Sequence, residues 1–521
     1  NVWYHVGSKN EKVGKTGFAH LFEHLMFNGT ENYNSEYFEP FEKIGSTDQN
    51  GTTNSDRTNY FQNVPTNAVD LALWMESDRM GHLLGVVDQE KLDEQRGVVQ
   101  NEKRQGENQP YGKAFTRISE AAFPKGHPYS WTTIGSMEDL DAASLEDVQE
   151  WFKTYYGPNN AVLALAGDID LETAREKVKK YFGDIPAGPP LIKPDVWIAK
   201  RSEEKRDIMY DNVPQARIYK AWNVPPRDTE AAAHFDLASS VLVGGKNSPL
   251  FKELVYEKQI ATSVSAFYYD REIAGMFIVV VDVVSGQEPK IVEKEMDAVL
   301  QTFIQKGPNK KLLEAEKTKT LASFIRGTQR IGGFGGKSDL LATCQTYTGN
   351  PGCYINNARY IDESTPAKIK STFTKWIDYT PYVLTILPSE KLATNESTID
   401  RSEGIPYPTE KISFKFPSLQ TAELSNGAKV VLAERKNIPL VEINIQFDFG
   451  YAQEDADQIG YTNFMMDMLN EGTKKYSSLE FDEVLDSLGA NMGFGSDLDT
   501  SYVSISSLKS NLDKTLDLAK E

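Results

Sequence analysis

An α+β fold laid out in tandem domains is the class this sequence predicts, and three observations predict it. Helix-period and strand-period segments mix without the strict βαβ alternation of a doubly wound sheet. Two proline-rich, weakly periodic stretches divide the chain, from Asp184 through Pro186, Pro189 and Pro190 to Lys200, and from Ser389 to Pro417. The third part so delimited repeats the start of the first. At 521 residues the chain is too long for one core, and at 40% hydrophobic it is too apolar for a disordered tail.

Along the first part, helical signals cover 14–28, 35–44, 66–104, 110–122 and 144–156, and strands are predicted at 1–6, 56–64 and 160–166. The helix at 14–28 carries Phe18, Ala19, Leu21, Phe22, Leu25, Met26 and Phe27, apolar nearly all round, which predicts burial. Within 88–104, Leu92, Gln95, Val98, Val99 and Glu102 fall on one helical face, so Glu102 projects from the apolar side.

Adding 443 to the residue number superimposes Asn1 on Asn444, Gly7 on Gly450, Glu11 on Glu454 and Gly17 on Gly460. The match continues through Gly29 and Gly472, Thr30 and Thr473, Tyr33 and Tyr476, Ser35 and Ser478, and Phe38 and Phe481. After small length changes, Thr58 and Tyr60 meet Thr500 and Tyr502. The second copy opens with an amphipathic strand at 424–432, followed by another ending at Gly450. The first copy enters only at the equivalent of Asn444. It is therefore expected to lack its opening strand, and the second copy to stop early at Glu521.

With 75 acidic against 56 basic side chains and a net charge of −19, the chain lacks the positive surface that phosphate neutralisation requires. Nucleic acid and anionic membrane are excluded as partners, leaving peptides or small molecules. No apolar run approaches the roughly 20 residues of a membrane span. The two cysteines, Cys344 and Cys353, flank a turn-forming stretch. They either close a disulfide, which would indicate an oxidising compartment, or remain two free buried thiols.

The pentapeptide His20-Leu21-Phe22-Glu23-His24 carries the chemistry. Positions i and i+4 point both imidazoles to one side of a helix, where two nitrogens hold one metal ion. Burying two histidines and a carboxylate is costly without a partner, and a divalent metal with its water satisfies all three. The bland alternative is a hydrogen-bonded histidine pair in the core. Two of only six histidines at this spacing around a glutamate weigh against it. HxxEH inverts the HExxH signature and supplies the same parts, two neutral ligands and a base. A third ligand must come from another element, and Glu102 is the candidate. The remaining histidines, His5, His82, His127 and His234, are isolated and read as structural or surface residues. Gly335-Gly336-Lys337-Ser338 lacks the leading glycine of a phosphate loop, Ile331 standing there, and reads as a flexible or close-packed loop.

These residues resemble the pitrilysin/insulinase family of zinc metallopeptidases, the inverzincins. The resemblance rests on His20 to His24, the following Leu25-Met26-Phe27-Asn28-Gly29-Thr30, and Arg96-Gly97-Val98-Val99-Gln100-Asn101-Glu102. Weaker similarity runs through Tyr156-Gly157-Pro158-Asn159-Asn160 and Ser248-Pro249-Leu250-Phe251. It implies tandem mixed α/β sandwich domains of the pitrilysin/processing-peptidase type, truncated at both ends. The domains would be a catalytic zinc-binding domain at 1–190, a second α+β domain at 200–390, a linker at 391–417 and the start of an inactive repeat half at 418–521.

It further implies one zinc ion bound by His20, His24 and Glu102, Glu23 as general base, and peptide added as a strand along Asn50-Gly51-Thr52-Thr53, where small residues at 51–53 let a backbone approach. Gln95 stands where many members carry an acid beside the third ligand, a neutral amide that would tune the site differently. In the second copy, His20, Glu23 and His24 become Asn463, Met466 and Asp467, so that copy reads as catalytically silent. The resemblance also implies an inactive half that closes over the metal half and contributes an arginine and a tyrosine near the zinc, whose equivalents are expected beyond Glu521.

The expected function is zinc-dependent hydrolysis of short or unfolded polypeptides enclosed between two halves, with the missing C-terminal half as partner. A non-catalytic metal-binding scaffold or processing partner is the main alternative, and a small-molecule metal hydrolase a second. A periplasmic or otherwise exported setting is expected.

Overall fold

Alternation builds the first sheet: in β1 (Val2–Tyr4), Val2 and Tyr4 face one side and Trp3 the other. The computed structural model describes residues 1–377, 379–389, 418–434 and 439–521. It forms two compact units, Asn1–Thr394 and Asn395–Glu521.

In the first unit, β1 is followed by α1 (Phe18–Leu25), α2 (Glu39–Lys43), β2 (Thr47–Thr53), β3 (Thr58–Asn63), α3 (Val69–Gly81), α4 (Gln89–Asn108), α5 (Ala114–Ala122), α6 (Met137–Asp141), α7 (Leu145–Tyr155), β4 (Ala161–Leu163) and α8 (Leu171–Phe182). The sheet order is β2-β3-β1-β4, which leaves β2 at an edge. Val2, Tyr4 and Tyr60 pack with Phe18, Phe22, Leu92, Val99, Trp151 and Tyr156 from α1, α4 and the end of α7. Each such side chain removed from water contributes about 1.5–3 kcal/mol.

Several sequence expectations are corrected here. The helix expected at 14–28 begins only at Phe18, because Gly17 adopts φ +86° and breaks the helical path before it. The single helix expected at 66–104 is two. Gly81 ends α3, and the Asp88 side chain caps a new helix by accepting from Lys91 N. Asn50–Thr53, expected to precede a strand, lie within one.

The segment 185–201 carries neither helix nor strand. Beyond it come β5 (Lys205–Asp211), β6 (Arg217–Val224), α9 (Glu230–Val243), β7 (Ala261–Tyr269), β8 (Gly275–Val283), α10 (Pro289–Lys306), α11 (Lys310–Gly327), α12 (Lys337–Thr348), α13 (Cys353–Asp362), α14 (Pro366–Trp376) and β9 (Tyr382–Pro388). The sheet runs β5-β9-β6-β8-β7. All nine residues of β8 are buried, as a central valine-rich strand covered on both faces must be. One face packs on α9, α10 and α14, and the other on Ala114, Ile118 and Ala122 of α5. Helix α5 thus belongs to the core of the second sheet although it precedes β4 in sequence.

The two sheets are joined by charge. His5 Nε2 lies 2.7 Å from Glu272 Oε2, Lys9 Nζ reaches the same oxygen, and Asp56 accepts from Tyr129 Oη at 2.5 Å. His5, expected to be isolated, is a member of this cluster; folding brings Glu272 to it from 267 residues away. In the loop Gly332–Gly336, Gly332, Gly333 and Gly336 are buried, while Phe334, 4.9 Å from the Phe61 ring, and Gly335 are exposed. Cys344 and Cys353 are bonded.

The second connector, the linker 391–417 included, lies outside the described residues. The second unit contains β10 (Leu419–Glu423), β11 (Lys429–Ala433), β12 (Leu440–Phe447), α15 (Tyr461–Asp467), α16 (Ser478–Ser487), β13 (Asn491–Ser496), β14 (Ser501–Leu508) and α17 (Leu512–Lys520). The single strand expected at 424–432 is instead a hairpin, turned at Asn426-Gly427 with Gly427 at φ +85°.

The repeat is closer than its sequence indicates. Val2 pairs with Tyr60 and Ile445 with Val503; Tyr4 pairs with Thr58 and Phe447 with Ser501. The offset therefore stays at 443 through the hairpin, and the expected length changes do not occur. Glu11 accepts from the backbone N–H of Gly17 and Ala19, and Glu454 does the same for Gly460 and Thr462.

Candidate metal centre

The Glu11 carboxyl anchors the start of α1 by accepting from its unpaired N–H groups; burial raises its pKa to about 8 against the pull of those hydrogen bonds. The eight-residue helix then buries Phe18, Ala19, Leu21, Phe22 and Leu25, which leaves His20 and His24 half-buried on the remaining side. Their rings stand 4.8 Å apart at 89°.

Helix α4 packs against α1 through Leu92, Gln95 and Val99. Val98, expected on the same face, is 39% exposed; the buried stripe steps from Gln95 to Val99 and passes it by. One turn beyond Val99, Glu102 Oε2 lies 3.7 Å from His20 Nε2 and 3.6 Å from His24 Nε2. One ligand atom from each of the three residues lies within 4.8 Å of the others, and no other such group occurs among the described residues. Tetrahedral zinc with bonds of about 2.0–2.1 Å separates its ligand atoms by about 3.4 Å. The two carboxylate–imidazole separations are within a few tenths of an ångström of that value.

Burial lowers the His20 pKa to about 4, with the adjacent His24 adding to the effect. Burial lowers His24 as well, against the pull of the Glu102 charge and of a hydrogen bond that the imidazole donates to Gln95. Both imidazoles are thus neutral at pH 7, the form in which histidine binds a metal. Glu23 is 7% exposed. Burial raises its pKa to about 7, opposed by a hydrogen bond from Thr53 and the charge of Arg57. Glu23 Oε2 and His20 Nδ1 are buried without a protein partner. A carboxyl oxygen in that position costs stability unless something polar enters the site, so the donor set fits a metal ion and a water.

A measurable consequence follows in the metal-free protein. Glu23 is expected to titrate near pH 7 and His20 to stay neutral down to about pH 4, read by NMR of labelled carboxyl and imidazole groups. The sign for metal uptake is that depressed imidazole pKa values leave no His20 proton to displace between pH 7 and 5. Zinc affinity should therefore fall less steeply over that window than for free imidazoles.

The predicted substrate segment Asn50–Thr53 forms the latter part of edge strand β2. Gly51 is buried, and a Cβ there would meet the Phe27 ring at 2.6 Å. The core therefore requires a glycine at this position. Upstream, Asp48 at φ +52° and Gln49 form an irregularity that interrupts pairing with β3. Sequence reasoning missed Arg57, whose guanidinium donates to Thr52 O at 2.9 Å, and the contact between Thr53 and Glu23. The four-residue loop between two strand-like runs was the available signal for the hairpin. The other histidines lie apart from the centre, His127 bonding Trp197 O and His234 bonding Thr372.

In the repeat, Asn463, Met466 and Asp467 occupy the corresponding turn of α15, and Met466 is buried. Comparison with known proteins finds one family profile on both copies. The family profile described as Insulinase (Peptidase family M16) matches residues 1–134 and again 429–521, and that of the Peptidase M16 inactive domain matches residues 142–320. The zinc protease PqqE of Helicobacter pylori is 28% identical over 331 residues, covering 62% of this chain and 73% of that one. A solved protease from Helicobacter pylori superposes with a TM-score of 0.68 at 24% identity, over 74% of this chain and 92% of its own. Pitrilysin does so with a TM-score of 0.61 at 15% identity, over 99% of this chain and 59% of its own.

Proposed function

We propose, from the premise that the chain belongs to the pitrilysin/insulinase family of peptidases, that it is a zinc-dependent endopeptidase or oligopeptidase. The observation that carries the proposal is the convergence of His20, His24 and Glu102 beside a buried carboxyl, Glu23, with an unpartnered oxygen. His20, His24 and Glu102 would hold one zinc ion, which when bound supplies a Lewis acid for the peptide carbonyl and lowers the pKa of water to about 7.

The remaining work falls to the chain's own groups. Glu23 Oε2 takes a proton from the attacking water and returns it to the leaving amine, for which a carboxyl with a pKa near 7 is well matched. Thr53 holds that carboxyl, and Tyr60 Oη donates to the Glu23 carbonyl at 3.4 Å. Gln95 orients His24 as an amide. The open edge of β2 receives substrate as an added strand, with backbone pairing giving affinity. Only an extended segment can pair in that way, which selects short or unfolded polypeptides. An oxidising, exported compartment is part of this reading, supported by the Cys344–Cys353 bond.

The test is hydrolysis of a quenched peptide by the zinc-loaded protein, its loss on chelation and its return with zinc. Retained zinc with no cleavage of any peptide overturns the proposal in favour of a metal-binding scaffold.

A further inference from the structure

The two copies of the repeat share a scaffold and differ in chemistry, so a contact found in only one of them separates the two. Both copies have the carboxyl group at the helix start. Both hairpins close in the same way, Asn54 N donating to Arg57 O and Asp497 N to Thr500 O. Both carry a hydroxyl pair at the base of the hairpin, Thr53 with Thr58 at 3.2 Å and Ser496 with Ser501 at 3.0 Å.

One set of contacts on the edge strand belongs only to the copy with the His-Glu-His helix. Arg57 Nη1 donates to Thr52 O at 2.9 Å and to Thr52 Oγ1 at 2.5 Å. The Thr52 hydroxyl in turn donates to Asn59 Oδ1 at 2.5 Å, and the guanidinium lies 4.9 Å over the Trp3 ring. At the constant offset, Arg57 and Thr52 become Thr500 and Gly495. A threonine and a glycine cannot reproduce the guanidinium donor or its hydroxyl acceptor.

The strand held in this way is the open edge. With Asn54 and Arg57 hydrogen-bonded, alternation makes Thr52 and Asn59 the next bonded pair, so Gly51 and Thr53 turn their N–H and C=O groups outward, where the Gly51 N–H donates to Asn50 Oδ1 at 2.9 Å. Thr53 also carries the hydroxyl that holds Glu23. Adjacent residues are thus tied in opposite directions, Thr52 to Arg57 and Thr53 to the base.

We propose that Arg57 is a positioning residue that fixes the open edge of β2 at the height where a paired peptide meets Glu23. The inference rests on the peptidase reading above. The guanidinium is not one of the converging ligands; it acts on the edge through the Thr52 backbone, and its charge separately favours the ionised form of Glu23.

Two measurements on the zinc-loaded protein test it: KM and kcat for peptides of decreasing length, and anisotropy of a labelled extended peptide on the Glu23→Gln background. Hydrogen bonds from a charged donor are worth about 1.5–3 kcal/mol, so Arg57→Gln should raise KM and Kd about ten-fold or more for peptides that span the edge. The shortest peptides should lose less, zinc content should hold, and kcat should change little at alkaline pH, where Glu23 is ionised with or without the Arg57 charge. Arg57→Lys, which keeps the charge without the planar fork, should recover only part, and added guanidinium should restore Arg57→Ala. If Arg57→Gln does not fold, Thr52→Val removes only the hydroxyl acceptor and should give a smaller rise in KM with the same length dependence.

Unchanged KM and Kd overturn the proposal, as does a loss of kcat at alkaline pH that is equal across peptide lengths. If the protein cleaves no peptide, the peptidase reading fails. The Kd comparison on Glu23→Gln still decides the role of Arg57, and binding of no peptide at all overturns both.

Discussion

Glu23→Gln is expected to lower kcat for peptide hydrolysis by about 10²–10⁴-fold, the range that a positioned general base supplies, with zinc content unchanged. The substitution keeps the size of the side chain and an oxygen able to accept from Thr53, and removes only the group that takes a proton. Glu23 is not among the three residues whose ligand atoms converge, so the metal should stay. Its surroundings make the effect large. At 7% exposure, with one oxygen unpartnered, little water is present to act in its place. Kinetics with a quenched peptide, alongside metal analysis of the same sample, provide the check. Wild-type kcat in Glu23→Gln would move the base elsewhere, and loss of zinc would make Glu23 a support of the metal site.

Glu76→Ala is expected to destabilise the first unit by about 3–5 kcal/mol, the cost of leaving a buried charge without its partner. Arg79 is fully buried and Glu76 is 2% exposed. Arg79 Nη2 donates to Glu76 Oε1 at 2.6 Å, and the same oxygen accepts from Gln62 Nε2 at 3.0 Å. The guanidinium is stacked between Tyr37 at 3.9 Å and Tyr60 at 4.0 Å, so it has no route to solvent once the carboxylate is gone. Tyr60 pairs across from Gly51, and Phe27, 5.7 Å from the guanidinium, packs on both. Loss of the pair should therefore loosen the edge strand and the end of the His-Glu-His helix together. Urea unfolding reads the stability, and Glu76→Gln, which retains the hydrogen bonds, should cost less. A loss under about 1 kcal/mol for Glu76→Ala would mean that the rings alone hold the cation.

The site was legible in the sequence wherever its geometry is local. His20 and His24 lie four positions apart on one helix, and that spacing alone puts both imidazoles on one side. The phase of α4 is similarly local, and Leu92, Gln95 and Val99 announce the face from which Glu102 projects. The repeat was legible because its glycines and caps recur at one offset. Less legible was everything that depends on partners distant in sequence. His5 looked isolated until the β7–β8 loop brought Glu272 to it. Thr47–Thr53 is polar and exposed along much of its length, as an edge strand is, so its strand character came from pairing with β3. Helix α5 follows the first helices in sequence and packs on the second sheet.

By itself, then, the sequence determined a helix bearing two imidazoles and a carboxylate, a second helix with an acid on its apolar face, and a second copy without the metal-binding residues. Only the tertiary structure decided that Glu102 stands within 3.7 Å of both histidines, that Glu23 is buried against Thr53, and that Arg57 grips the edge strand. Backbone periodicity is a property of a few consecutive residues. Desolvation and convergence arise only when elements far apart in the chain exclude water from the same volume.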